Sequence, residues 1–149
     1  MTAKQTLQNE GAWDALKRIG GKDDDDFEIG KAALLLAALD RPRSEINPYL
    51  EHLSELANEV SRIVSSDKDQ ELAKTTCALV DVIATKRRYK GDVHTYENPQ
   101  NANLMDVIDR RKGLPVALAI IYLDVAHRLR WEAKGINFPG HFLIRLEQG

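Results

Sequence analysis

A chain of 149 residues and 16.8 kDa is the size of one ordinary domain, long enough to bury ~70% of the surface its unfolded form exposes. Hydrophobic residues at 43% and charged residues at 30% exclude the disordered, collagenous and membrane-embedded classes. Lys and Arg number 21 against 23 Asp and Glu, and this formal charge of -2 offers no general field to nucleic acid or anionic membranes.

The opening residues lack an apolar leader core, and the longest apolar run, about ten residues, is too short for a bilayer. Cys77 is the single cysteine. It permits no internal disulfide and points to a reducing, cytoplasmic setting. Residues 1–12 are polar without a period, and residues 13–19 predict two helical turns that Gly20 and Gly21 interrupt. The acidic run 23–26 precedes an Ala- and Leu-rich helix over 27–39, where carboxylates suit the positive end of the helix dipole.

Pro42 closes that helix, and Asn47 and Pro48 read as the cap and first position of the next. Leu50, Leu53, Ala57, Val60 and Val64 then recur at spacings of three and four, which predicts one buried helical face. A further helix is predicted over 69–88, with Leu72, Thr76, Leu79, Val80 and Ile83 as its apolar stripe and Gly91 as its stop.

Residues 89–103 hold Gly, Pro and three Asn without a sustained period, so they predict a loop long enough to be functional. A short helix over 104–111 ends toward Gly113. The run from Pro115 is apolar on all sides for its first turns, which predicts a central core helix over 115–130 entered through a proline. Two extended segments, 133–138 and 142–146, flank a Pro139-Gly140 turn. Two strands alone make a marginal sheet, so the sheet is expected to be truncated, with an edge after 142–146 open to another chain.

Residues 89–145 resemble bacterial transglutaminase-like proteins of the SirB type. The resemblance rests on Tyr89 and Gly91; on Tyr96, Asn98 and Asn101; on Leu104 and Val107; on Arg111 with Gly113, Leu114 and Pro115; and on Pro139, Gly140, His141 and Phe142. It implies an α+β, mostly helical fold: a papain-like core in which a buried central helix packs on a short antiparallel sheet. The helical region 1–88 and the partial core 89–149 are expected to pack as one domain.

In active enzymes of that type a Cys at the start of the central helix attacks, a His on the following strand is its base, and an Asp orients the His. The helix N-terminus and the imidazolium both stabilise thiolate. Here Leu114 or Pro115 fills the nucleophile position, and neither can attack a carbonyl. His141 is the member that matches. It reads either as a retained cleft imidazole able to bind or act as a base, or as a strand-entry residue whose nitrogens the turn satisfies. Cys77, in mid-helix without help from the dipole, reads as a small buried hydrophobe.

His52, His94, His127, His141 and Cys77 lack the spacing of metal ligands, so no metal or other cofactor is expected. The basic clusters 86–90 and 110–112 sit at helix ends, where they complement the dipole. Arg111 is expected to pair with Asp106 or Asp109 or to line the cleft. Tyr96, Asn98 and Asn101 read either as turn-fixing groups or as one wall of a groove opposite His141, with Arg111, Gly113, Pro115 and Gly140 as further binding positions.

The sequence therefore predicts a non-catalytic transglutaminase-like binding or scaffolding domain with a protein or peptide partner, and self-association through the sheet edge. No nucleic acid or membrane partner is expected. The alternatives are an amide or peptide hydrolase using His141 without a cysteine and, more remotely, a nucleic-acid-associated regulator acting through the basic helix ends.

Overall fold

The structure, a computed structural model, describes residues 3–23, 27–65 and 71–147. Most of the acidic run 23–26 and the expected start of a helix at residue 69 therefore lie outside the described residues. Six α-helices are described: α1 (Ala3–Gly20), α2 (Ile29–Asp40), α3 (Asn47–Ser65), α4 (Leu72–Val80), α5 (Leu104–Arg110) and α6 (Pro115–Arg128). Four strands make two small sheets. Strands β1 (Lys90–Gly91) and β2 (Lys112–Gly113) pair in parallel, and β3 (Glu132–Phe138) and β4 (His141–Glu147) form an antiparallel hairpin. The chain is mostly helical with small sheets, an α+β arrangement.

Helix α1 runs well upstream of the two turns read from the sequence, through Ala-, Gln- and Lys-containing sequence with good helix propensity. Its Ala12, Ala15, Leu16 and Ile19 pack on Ala32 and Leu35 of α2, an i, i+3, i+4, i+7 face. Helix α2 has no side-chain cap of its own. Instead Asp124 on α6 accepts a hydrogen bond from the Gly30 N–H at 3.1 Å. A Cβ at Gly30 would stand 2.5 Å from that carboxylate oxygen, so only glycine lets the two helices share this cap.

Helix α3 starts one position earlier than the Asn47 cap implies, because the Ile46 carbonyl accepts from the N–H groups of both Tyr49 and Leu50. Its buried face of Leu53, Leu56, Ala57, Val60 and Val64 follows the predicted period. Helix α4 departs further from expectation. Its α-helical hydrogen bonding stops at Val80, and a π-helical turn, Asp81–Lys86, follows. Arg88 ends it at φ 60, not Gly91, which belongs to β1.

The buried groups of this segment are Thr75, Ala78, Leu79, Val82 and Ile83, while Leu72, Thr76 and Val80 are exposed. These buried positions follow an i, i+3, i+4, i+7, i+8 face that the predicted stripe shares only at Leu79 and Ile83. Cys77 is exposed as well, which corrects its reading as a buried hydrophobe.

Helix α5 is capped by Asn103, whose side-chain oxygen accepts from the N–H groups of Met105 and Asp106 at 3.0 and 3.2 Å. Its amide donates to the Ala37 carbonyl at 3.1 Å, tying α5 to the end of α2. Arg111, at φ 59, takes the terminating role expected of Gly113. Gly113 lies in β2, where a Cβ would meet Val107 at 2.7 Å. Helix α6 begins at Pro115 as expected and ends two residues short of the predicted limit, with Arg130 at φ 62 beyond it.

Ala117, Ile121 and Val125 of α6 join one core with Leu34, Leu53, Leu56, Val60, Ile83 and Met105. A second cluster joins Leu123 and Ala126 to Ala133 and the partly buried Ile144 and Leu146 of the hairpin. In that hairpin Phe138 faces His141 across Pro139 and Gly140, the latter at φ 76, a conformation that suits glycine. Among the described residues no helix is long and apolar enough to cross a membrane.

Candidate functional site

The loop between β1 and α5 is fixed from inside. The Asp92 carboxylate accepts from the N–H groups of His94 and Thr95 at 3.2 and 3.0 Å, from the Thr95 hydroxyl, and from Arg110 at 3.1 Å. The hydrogen bonds from Thr95 chiefly hold its carboxyl well below the usual carboxylate range. Asn101 is fully buried. Its amide donates to the carbonyls of Thr95 and Tyr96 at 2.8 and 3.2 Å, and its oxygen accepts from Arg110 at 3.0 Å. Asn98 caps the 3-10 turn Pro99–Asn101 by accepting from the Gln100 N–H at 3.0 Å. The hydrogen-bonding capacity of Asn101 is thus spent on the loop itself, while Tyr96 stands 61% exposed.

Arg111 does not pair with Asp106 or Asp109. Arg41 takes both carboxylates, at 3.0 and 2.9 Å, and Arg111, turned by its left-handed backbone, reaches the other way. It donates to the Tyr89 hydroxyl and to His52 Nε2, the latter at 2.9 Å, with its guanidinium 4.8 Å from the Tyr89 ring centroid. Because the Arg111 guanidinium can only donate, His52 Nε2 accepts and the ring proton sits on Nδ1, so the Tyr89 hydroxyl, 2.7 Å from the same nitrogen, donates to it.

Burial, with Arg111 and Arg87 nearby, lowers the His52 pKa to about 4, and burial pushes the Tyr89 hydroxyl up to about 12. Arg87 itself pairs with Glu59 on α3. This His-Tyr-Arg cluster escaped the sequence reading. Its members come from three segments, and no spacing in the chain announces their meeting.

An apolar concavity lies elsewhere, between α4, α6 and β4. It measures about 630 Å³ and is lined by Leu72, Thr76, Leu79 and Val80 of α4, by Pro115, Leu118, Ala119 and Tyr122 of α6, by Gly91, and by residues 142–146 of β4. The exposed α4 residues at i, i+4 and i+8 form its outer wall. All three belong to the apolar stripe that the sequence predicts for this helix.

Five consecutive β4 residues line the groove, so it runs along the strand's edge as well as its face. A two-residue turn makes Phe138 and His141 a hydrogen-bonded pair. Alternation then turns the N–H and C=O groups of Phe142, Ile144 and Leu146 away from β3. Among the described residues no strand pairs with that edge.

Of the positions predicted from the sequence, Pro115 lines this groove and Gly140 shapes the hairpin turn. Gly113 serves close packing on Val107. His141 is exposed at the hairpin tip, and neither it nor Cys77 lines the groove. Tyr96, Asn98 and Asn101 do not line it either. Among the described residues no three His, Cys, Asp or Glu side chains gather as metal ligands.

A UPF0162 protein of Xylella fastidiosa (strain 9a5c) is 32% identical over 142 residues, which cover 90% of this chain and 46% of that protein. A UPF0162 protein of Vibrio cholerae is 28% identical over 125 residues, covering 84% of this chain and 46% of its own length. The mouse F-box only protein 21 is 37% identical over 68 residues, 46% of this chain and 11% of that protein.

The chain thus spans about half the length of the bacterial relatives. No solved structure matches it. The pattern of the Transglutaminase-like superfamily matches residues 47–149, from α3 through the hairpin, and the chain belongs to that superfamily.

Proposed function

We propose that this domain is a non-catalytic binding or scaffolding module of the SirB-type branch, and that it takes an extended apolar peptide segment along the free edge of β4. The observation that carries this reading is the groove itself, with an apolar floor on α6, an apolar wall on α4 and a row of outward backbone donors and acceptors on β4. Strand addition uses such an edge for affinity and the adjoining pockets for side-chain choice. Leu114 and Pro115 at the start of α6 and the mid-helix position of Cys77 on α4, away from a helix N-terminus, support a role without covalent catalysis. The lone thiol fits a cytoplasmic setting.

The same edge can pair two copies of this chain, so the peptide segment and a second copy compete for one surface. The test is random-peptide display on the full chain, with transamidation and peptidase assays in parallel. Apolar peptides are expected to be enriched, to be lost with Val80→Asp, and to remain uncleaved. Turnover that survives Cys77→Ala and vanishes with His141→Ala would overturn this reading in favour of hydrolysis.

A further inference from the structure

The ion pairs around the groove's β1 end are unevenly distributed. Lys86 pairs with Asp81, Arg87 with Glu59 and Arg110 with Asp92. Arg88, Lys90 and Lys112, interleaved with these, have no carboxylate partner among the described residues, and Arg88 and Lys90 are exposed. Lys90 and Lys112 are also direct register partners in the parallel β1–β2 pair. Their backbones lie ~4.8 Å apart, so both ammonium-bearing side chains leave the same face of the pair. Two cations on one face, without a carboxylate partner among the described residues, attract an anionic group from outside.

Lys90 is next in the chain to the groove's lining, and Arg88 and Lys112 flank Lys90 along the chain and across the pair. Gly91, the residue after Lys90, is part of its lining. The β1–β2 hydrogen bonds run from the N–H groups of Lys90 and Asp92 to Arg111 and Gly113, so the Gly91 N–H and C=O turn to the other side. At the other end of the same short segment, Pro115 joins the lining two residues after Gly113.

Resting on the binding role above, we infer that the partner is an acidic-flanked apolar peptide. Its alternate apolar side chains sit on Leu118, Tyr122 and Val80, and its Asp or Glu residues reach Arg88, Lys90 and Lys112. A nucleic acid fits less well. Three cations supply few phosphate contacts, the chain's formal charge is -2, and the groove presents a strand edge, which a polypeptide backbone pairs with.

The experiment compares peptides enriched from one random library by the full chain and by its K90E/K112E variant, with circular dichroism confirming that both are folded. The wild type is expected to select apolar cores flanked by Asp or Glu. It should bind a synthetic peptide of that sequence at least tenfold more tightly than its Lys-flanked analogue, with the margin shrinking in high salt. The variant is expected to reverse that preference, a gain of binding that misfolding cannot produce.

Enrichment of apolar peptides without charge bias, unchanged by K90E/K112E, would overturn this inference and leave the binding role standing. No enrichment at all would overturn both. A labelled single-stranded oligonucleotide that binds through the same lysines while no peptide is selected would also overturn it.

Discussion

The 92–103 loop and the groove beside β4 are opposites in how their chemistry is used. In the loop, Asp92 and Asn101 meet Arg110, Thr95 and the chain's own carbonyls in an inward-facing set of hydrogen bonds. In the groove, Leu72, Val80 and Leu143 are exposed apolar groups, and β4 turns backbone donors and acceptors to an edge without a strand partner among the described residues. Holding the loop's shape and presenting open apolar surface thus fall to different residues. Polar side chains such as Asn101, which suggest a binding wall in the sequence, are internal fasteners, while Leu72, Thr76 and Val80 of the predicted apolar stripe are open surface and Leu79 and Ile83 are core.

The sharpest way to break this contrast is to remove a fastener. Asn101→Ala leaves the Thr95 and Tyr96 carbonyls and one Arg110 donor without their buried partner. The expected cost is about 2–4 kcal/mol in urea unfolding, and a change under about 0.5 kcal/mol would show that the loop is not held in this way.

The second effect is that of acid on the His52 cluster. Its pKa falls from 6.5 to about 4 on folding, so the native state resists protonation. The stability tied to neutral His52 is complete above pH 6.5, declines as the pH drops toward 4, and is absent below that. The expected loss is on the order of 2–3 kcal/mol, with His52→Gln flattening the profile between pH 6.5 and 4. An equally steep profile in the variant would assign the acid sensitivity to other groups.

How much of this was readable in advance depended on how far apart the interacting residues lie. Helices α3 and α6 and the β3–β4 hairpin carry their signals locally: Pro48 and Pro115 near their starts, the three-and-four spacing of Leu53 to Val64, and the Pro139-Gly140 turn. The parallel pairing of Lys90 with Lys112, the cap that Asp124 gives Gly30, and the meeting of Arg111 with His52 join residues 22, 94 and 59 positions apart, and no local pattern encodes them.

Helix α4 shows a third case. Leu72, Thr76, Leu79, Val80 and Ile83 do lie near one another on a helix, but periodicity identifies an apolar stripe without saying whether the protein or a partner covers it. The buried positions 75, 78, 79, 82 and 83 run as one i, i+3, i+4, i+7, i+8 face into the π-helical turn at Asp81–Lys86, and Val80 lies off that face, toward the groove.

Val80→Ser gives the smallest expected effect on the fold and the clearest on the contrast. Val80 is 47% exposed in the free chain, so its replacement removes little buried area and is expected to alter unfolding by less than about 0.5 kcal/mol. A segment lying in the groove covers that side chain, and the loss of its methyl groups from a desolvated contact is expected to weaken peptide binding by roughly 1 kcal/mol, about fivefold. Leu36, on α2, is 54% exposed and lies outside the groove lining, so Leu36→Ser serves as the matched control, with unchanged affinity for the same peptide. Equal losses from the two substitutions would mean that general surface hydrophobicity, and not the wall that α4 presents to β4, holds the partner. A large stability loss from Val80→Ser alone would return this stripe to the core.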